Sequence, residues 1–329
     1  MNADMRPVLD VRGLRVDYAT SAGLLRAVDN LSFSIQPGET VALVGESGCG
    51  KSTAALALMR LASSSQARID GEQLLFEGED LLKLPEAKMR ALRGSRIAMI
   101  FQDPSMYLNP VHSVGQQISE SIRLHEPGLD GATVRRRVIE LLHLVGVPAP
   151  AARVDQYPHN LSGGMRQRLL IAMALACSPK LLIADEPTTA LDVTIQAQVL
   201  ALIRDLKARL GMAVLLITHD LGVVAETADR MVVMYAGRKV EEGTVAELFE
   251  RPLHPYTKGL IRAAQWAEQD DRTFFEIPGT VPSLLALPRG CSFAARCPSA
   301  VEACRLRRPD FIATGPRRGA ECILTVAPA

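Results

Sequence analysis

The chain lacks any run of apolar residues long enough to cross a bilayer, which takes about 18 or more in succession. Its longest apolar stretch, Leu169 to Ala184, is interrupted by Ser178, Pro179 and Lys180. The first ten residues hold Asp4, Arg6 and Asp10 and no apolar centre, so no secretory signal is expected. A charge excess is missing as well. The 37 Lys and Arg stand against 36 Asp and Glu, too even a balance for a dedicated nucleic-acid binder. No internal repeat is present. A composition of 48% hydrophobic and 22% charged residues excludes disorder, and 329 residues suffice for about two domains. Cysteine is sparse until the end: Cys49 and Cys177 stand alone, whereas Cys291, Cys297, Cys304 and Cys322 crowd into the last forty residues. Without a secretory signal the expected compartment is reducing, where such a group binds metal more often than it forms disulfides.

What is present begins with strand periodicity. Val8 to Tyr18 and Val28 to Ile35 alternate apolar and polar residues. The apolar run Val41–Val44 then enters a glycine-rich turn, and a helical pattern follows from Lys51 to about Leu61. From Asp103 to about Asn160 the pattern is mostly helical, with Val134, Val138, Leu141, Leu142 and Val145 on one stripe and Arg135–Arg137 read as a solvated face. Helix (165–176), strand (181–184), helix (194–209) and strand (213–217) then alternate, which predicts a mostly parallel α/β fold. Near Arg251 the texture breaks into prolines and glycines with little periodicity. A boundary is expected there, followed by a small irregular appendage that needs a covalent or metal staple.

The turn Gly45-Glu-Ser47-Gly48-Cys49-Gly50-Lys51-Ser52-Thr53 has the form G-x-x-x-x-G-K-[ST] between a strand and a helix. Its glycines let backbone N–H groups converge on phosphates at a helix N-terminus. Lys51 is expected at the β- and γ-phosphates and Ser52 on Mg²⁺. Far downstream, the apolar run Leu181–Ala184 ends in Asp185 and Glu186. A buried strand would deliver Asp185 to the Mg²⁺ shell and Glu186 to the attacking water as general base.

At Leu161-Ser162-Gly163-Gly164-Met-Arg-Gln-Arg168 the sequence resembles the ATP-binding cassette ATPases, whose signature motif this is similar to. Ser162 and the two glycines open a second anion-binding helix N-terminus, and the resemblance implies a head-to-tail dimer in which each chain's motif closes on its partner's ATP. Other segments agree with that family. Phe101-Gln102-Asp-Pro104 resembles the segment whose glutamine meets Mg²⁺ or water, and Ala190-Leu-Asp192 the loop that links the two sites of the dimer. His219, after the strand 213–217, matches the histidine that contacts the γ-phosphate, and Tyr18 the aromatic that stacks on adenine. The expected fold is an α/β cassette at 1–252, with a phosphate-loop core and a helical subdomain at about 103–165, followed by an extension at 253–329.

Leu253-His-Pro-Tyr-Thr-Lys-Gly-Leu260, Ile277-Pro-Gly-Thr-Val-Pro-Ser-Leu284 and Gly290–Pro298 resemble the C-terminal extension of dipeptide/oligopeptide importer ATPases. Two segments depart from that pattern: Met106-Tyr107, where small residues are usual, and Ala263-Ala-Gln-Trp266, where a proline usually follows. The resemblance implies ATP-driven import of peptides, with nickel, glutathione and opine-like compounds as the subfamily's other substrates. It also implies two membrane-spanning subunits, a second and often non-identical ATPase, an extracytoplasmic binding protein, no nucleic acid, and a peripheral place on the cytoplasmic face of the membrane. A soluble cassette ATPase outside transport is the competing class. The cysteine spacing C-x5-C-x6-C-x17-C offers no C-x2-4-C pair of the kind structural zinc favours, and four thiolates so spaced can reach the corners of a [4Fe–4S] cube. The resemblance implies that same cluster; zinc and free or disulfide-bonded thiols stay open. Cys49, at a helix N-terminus, is expected to have a lowered pKa and to react with electrophiles; Cys177 has only a core reading.

Overall fold

Two antiparallel strands, β1 (Leu9–Thr20) and β2 (Gly23–Ile35), realise the first alternating pattern as a hairpin, with Thr20 paired to Gly23 across its turn. The computed structural model describes residues 6–62, 67–189, 191–264 and 275–325. Next come β3 (Thr40–Val44), the glycine-rich turn, α1 (Lys51–Leu58) and three short strands, β4 (Ala67–Asp70), β5 (Gln73–Phe76) and β6 (Glu79–Asp80). The chain then forms α2 (Glu86–Leu92), β7 (Ile97–Ile100), α3 (Pro104–Tyr107), α4 (Val114–His125), α5 (Gly131–Leu144), α6 (Pro150–Arg153) and a 3-10 turn (Pro158–Asn160). After these lie α7 (Gly163–Ala174), β8 (Leu181–Asp185), α8 (Val193–Leu210) and β9 (Ala213–Thr218). The remainder is α9 (Leu221–Thr227), β10 (Arg230–Tyr235), β11 (Arg238–Thr244), α10 (Val245–Glu250), α11 (Pro255–Ala264), α12 (Glu302–Leu306), β12 (Ile312–Gly315) and β13 (Arg318–Ala320).

These elements form two compact units. The first gathers the described residues within 1–35, 39–82 and 216–329, the second those within 36–38 and 83–215. In the first unit one sheet has the order β2-β1-β5-β6 with β4 also on β1, and a second sheet contains the run β12-β13-β11-β10-β3. All five residues of β3 are buried, as befits a strand paired in parallel with β10 and covered on both faces. The extension belongs to this unit. Its β13 pairs antiparallel with β11, and α11 packs on α9. Its Tyr256, Ile261 and Phe293 share one buried core with Val44, Val233 and Tyr235. The rings of Tyr235, Tyr256 and Phe293 lie 4.7, 5.2 and 5.3 Å apart pairwise, contacts each worth about 0.5–1.5 kcal/mol beyond burial. The proline-rich appendage is therefore seated by aromatic packing.

In the second unit β7 pairs in parallel with β8, whose five residues are all buried. Helix α5 buries Val134, Val138, Leu141 and Leu142, the expected stripe, with Val145 buried at its C-cap. Arg135 and Arg136 are exposed, while Arg137 is half-buried and pinned by Glu126 at 2.6 Å and by the Ala176 carbonyl. Polar side chains start the helices: Ser113 with Gln116 in a capping box on α4, Asp130 on α5, Ser162 on α7 and Asp192 on α8. Among the described residues no helix is long and apolar enough to cross a membrane.

Candidate nucleotide site

The first unit carries the phosphate loop. β3 ends at Val44, and the turn places Gly45, Gly48 and Gly50 at φ 153°, 75° and 101° before α1 begins at Lys51. Glycine is required twice over: a Cβ on Gly50 would collide with the Ala27 carbonyl, and one on Gly45 with the Met234 carbonyl and Cys49 Sγ. Lys51 is buried and folds back over the loop, its Nζ donating to the carbonyls of Gly45 at 2.7 Å and Glu46 at 3.1 Å. Ser47, Gly48 and Ser52 are exposed, and Thr53 is half-buried. Tyr18 lies half-buried on β1 opposite Leu25 and Ala67. His219 is exposed just past β9, followed by Asp220, which accepts N–H bonds from Gly222 and Val223 as the cap of α9.

Cys49 departs from expectation. The thiol has no solvent exposure, and burial pushes its pKa up despite the nearby Lys51 ammonium. Desolvation of the thiolate outweighs the helix N-terminus, so the expected reactive thiol is a packed core atom in this conformation.

The second unit carries the acidic pair. Asp185 ends β8 and is buried. Glu186 follows at φ 46°, in the left-handed region where a side chain costs on the order of 1–3 kcal/mol. Its Oε2 accepts hydrogen bonds from Gln102 Nε2 at 2.8 Å and Thr189 Oγ1 at 2.9 Å. Two residues 84 positions apart are thus in contact; sequence reading assigned each a separate role at the nucleotide, and neither their hydrogen bond nor Thr189 was anticipated. Neither was Gln167. Buried on α7, it donates through Nε2 to the carbonyl of Pro187, tying the signature helix to the residue after Glu186. The only hint was a glutamine at a position that should face the core. Phe101 stacks on Tyr107 at 4.1 Å, which gives the departure at Tyr107 a packing role beside Gln102. Ser162 Oγ accepts the Met165 N–H at 3.4 Å, and Asp192 Oδ1 the Ile195 N–H at 3.0 Å, so both expected site residues serve as helix caps. Gly163 is exposed, and Gly164 lies where a Cβ would press on Ile195. Ala190 and Trp266 lie outside the described residues.

The four C-terminal cysteines are free thiols. The Cys291 N–H donates to the Cys304 carbonyl at 2.8 Å. Cys291, Cys297 and Cys322 each accept a backbone N–H from two residues on, at Phe293, Ser299 and Leu324. Burial pushes the Cys291 thiol up to about 11, with Cys304 and Cys322 close enough to add to the rise. N–H bonds to sulfur suit a thiolate-bound group. Among the described residues, however, no three His, Cys, Asp or Glu side chains are gathered to hold a metal ion. Cys177 is half-buried, with its Sγ donating to the Ser121 carbonyl at 3.8 Å.

Sequence reading alone also missed the seat of the extension. The Glu241 carboxylate accepts the N–H groups of Leu253 at 2.6 Å and His254 at 2.9 Å. His254 is buried, its Nδ1 accepts the Tyr256 N–H at 3.1 Å, and desolvation lowers its pKa to about 3.

Comparison with known proteins agrees with this arrangement. The ABC transporter family matches residues 28–189, and the C-terminal region of oligopeptide/dipeptide transporters matches residues 240–304. A probable peptide ABC transporter ATP-binding protein of Sinorhizobium fredii is 51% identical over 316 residues, 96% of this chain and 94% of the relative. A Brucella abortus protein, provisionally named a peptide import ATP-binding protein, is 50% identical over 311 residues, 94% of this chain and 93% of its own. Among solved structures, a dimeric ATP-binding cassette in a post-hydrolysis state with ADP and Pi superposes with a TM-score of 0.64 at 25% identity, covering 72% of this chain and 98% of that one. The cbiO1 protein of Clostridium perfringens, part of the transporter complex cbiONQ, gives 0.62 at 28% identity, covering 80% and 96%. With its phosphate loop, its acidic strand end and its signature helix on the cassette fold, the chain belongs to the ATP-hydrolysing, ATP-binding subunits of ABC transporters.

Proposed function

We propose that this chain powers import of dipeptides or oligopeptides across the cytoplasmic membrane, working from the membrane's cytoplasmic face. One observation carries the reading: a nucleotide-binding cassette and an oligopeptide-transporter C-terminal region are joined in one chain, which matches peptide-transporter ATPases over nearly its whole length. The cassette comprises residues 1–252, with its helical subdomain at about 103–165, and the extension comprises 253–329. Tyr18 stacks on adenine, the loop 45–53 cradles the phosphates, and His219 contacts the γ-phosphate. Ser52, Gln102 and Asp185 each offer an oxygen of the kind Mg²⁺ takes (hydroxyl, amide and carboxylate) and would hold the ion, which when bound neutralises phosphate charge. Glu186, held by Gln102 and Thr189, takes the proton of the attacking water. A second ATPase subunit, non-identical, pairs head-to-tail with this chain: Ser162, Gly163 and Gly164 here close on the partner's ATP, Asp192 lies in the loop that links the two sites, and the partner's own signature motif closes on the ATP bound here. Two membrane-spanning subunits dock on the segment after Gln102, where Met106 and Val111 are 78% and 72% exposed. No nucleic acid takes part.

Proteoliposomes holding this chain, its partner ATPase and the two membrane subunits test the reading. Addition of the peptide-loaded binding protein should stimulate ATP hydrolysis and drive labelled peptide inward. Uptake of nickel, glutathione or an opine in place of peptide overturns the substrate; failure to co-fractionate with the membrane subunits overturns the transport role. The four cysteines Cys291, Cys297, Cys304 and Cys322 hold a [4Fe–4S] cluster in this reading, supported by their free state and the N–H bonds to three of them. Protein purified without air should contain about four irons and four acid-labile sulfides per chain; none of either sinks the cluster.

A further inference from the structure

Glu46, the second residue of the phosphate loop, is held by the C-terminal extension on both its side chain and its backbone. Arg296 grips the carboxylate with two parallel bonds, Nη1 to Oε2 at 2.7 Å and Nη2 to Oε1 at 3.0 Å. The other donors of that guanidinium are committed as well: Nε to the Pro278 carbonyl at 2.9 Å, Nη2 to the Ile277 carbonyl at 3.1 Å and Nη1 to Tyr235 Oη at 3.4 Å. Its side chain is 6% exposed against 26% for Glu46, so the arginine is the fixed partner. From another direction, Tyr256 Oη accepts the backbone N–H of Glu46 at 2.9 Å. Tyr256 cannot drift, since it is wholly buried against Tyr235 and Phe293. Arg296 lies one residue before Cys297 and 250 residues from the loop it holds.

Physical consequences follow from charge and from shape. An unpaired carboxylate in a phosphate-binding loop repels the polyphosphate that the loop exists to bind. A bidentate arginine cancels that charge and fixes its direction. The loop's N–H groups must point inward together, and a loop whose second residue is anchored loses less freedom on binding.

We propose that Arg296 and Tyr256 are positioning residues for the nucleotide reaction, holding Glu46 so that the C-terminal extension sets the phosphate loop's affinity for nucleotide. Neither touches the reacting atoms; both act through Glu46. The coupling is reciprocal, so bound nucleotide steadies the extension in turn.

Equilibrium binding of a fluorescent ATP analogue to the full chain, with wild type as the control, provides the test. Arg296→Met should raise Kd about tenfold, the loss of roughly one charge-assisted contact, and Arg296→Lys should raise it less. Tyr256→Phe, which keeps the buried ring, should raise Kd by about threefold, a fraction of one neutral hydrogen bond. Adding Glu46→Gln to Arg296→Met should return most of the lost affinity, because the acid that the arginine offsets is gone. In hydrolysis assays the KM for ATP should rise by a larger factor than kcat falls. Wild-type affinity in both Arg296→Lys and Tyr256→Phe overturns the proposal, as does an Arg296→Met loss that Glu46→Gln leaves unrescued. Should Arg296→Met fail to fold, the two gentler variants decide alone. A wild-type chain that binds no nucleotide overturns the ATPase assignment and this proposal together.

Discussion

Replacing Glu186 by glutamine isolates proton abstraction from every other property of the acidic strand end. The residue sits at φ 46° after a fully buried strand, and its Oε2 takes hydrogen bonds from Gln102 at 2.8 Å and Thr189 at 2.9 Å. A glutamine amide oxygen can accept both bonds, so the geometry survives and only the charged share of each bond is lost, about 1 kcal/mol of stability at most. The amide cannot take a proton from water. Removing a general base lowers turnover by about 10²–10⁴, equivalent to roughly 2.7–5.4 kcal/mol in the barrier. Phosphate release at saturating ATP measures that loss, while equilibrium nucleotide binding and a thermal melt show that the site and fold persist. A fall of less than about fivefold in an intact, nucleotide-binding chain would refute Glu186 as the base, since general bases contribute far more. A companion pair checks the strain. Glu186→Gly and Glu186→Ala should lose hydrolysis equally, but the glycine variant should be more stable by about 1 kcal/mol because only glycine occupies positive φ freely.

Other expectations are sharp enough to measure. Gly50→Ala should abolish nucleotide binding and lower the melting temperature, because its Cβ has no room beside the Ala27 carbonyl and φ is 101°; binding within twofold of wild type would contradict the loop geometry. His254 is buried with a pKa near 3, whereas an unfolded imidazole titrates near 6.5. The unfolded chain therefore binds a proton first as pH falls, and stability present above pH 6.5 is progressively lost between 6.5 and about 3. By pH 5.5 the loss attributable to this residue is on the order of 1 kcal/mol, so His254→Gln should show a flatter pH dependence of its melting temperature than wild type. Equal slopes would place the imidazole in contact with solvent. Cys49 should resist maleimide in the native chain and label on unfolding, by peptide mapping; native labelling at the rate of an exposed thiol would restore the reactive reading.

Much of this architecture was legible from local pattern. The alternating segments became β1 and β2, although β2 begins at Gly23 because pairing with β1 across a tight turn recruits residues that carry no pattern of their own. Helix α1 stops at Leu58, short of the periodic estimate, and Arg60 turns to φ 51° immediately beyond. The apolar strands β3, β8 and β9 were equally readable, since each is a short contiguous apolar run that ends where the polar candidate residues begin. Cys49 failed for an instructive reason: the helix N-terminus is a local property visible in sequence, whereas the burial that overrides it is made by residues elsewhere in the chain.

The sequence by itself determined the nucleotide chemistry: the spacing of glycines, Lys51 and Ser52 and the acids after an apolar run leave little freedom, because phosphate binding uses backbone groups of consecutive residues. Its even charge turned the reading away from a nucleic-acid binder, and among the described residues no helix is long and apolar enough to cross a membrane. Only the tertiary structure brought the extension onto the phosphate loop. Arg296 and Glu46 are 250 residues apart, Tyr256 and Glu46 are 210 apart, and the aromatic core that fixes both comes from strand, helix and loop. No periodicity encodes such a contact. It exists because chain folding brings a buried guanidinium with every donor spoken for against a carboxylate that would otherwise stand unpaired in a phosphate loop.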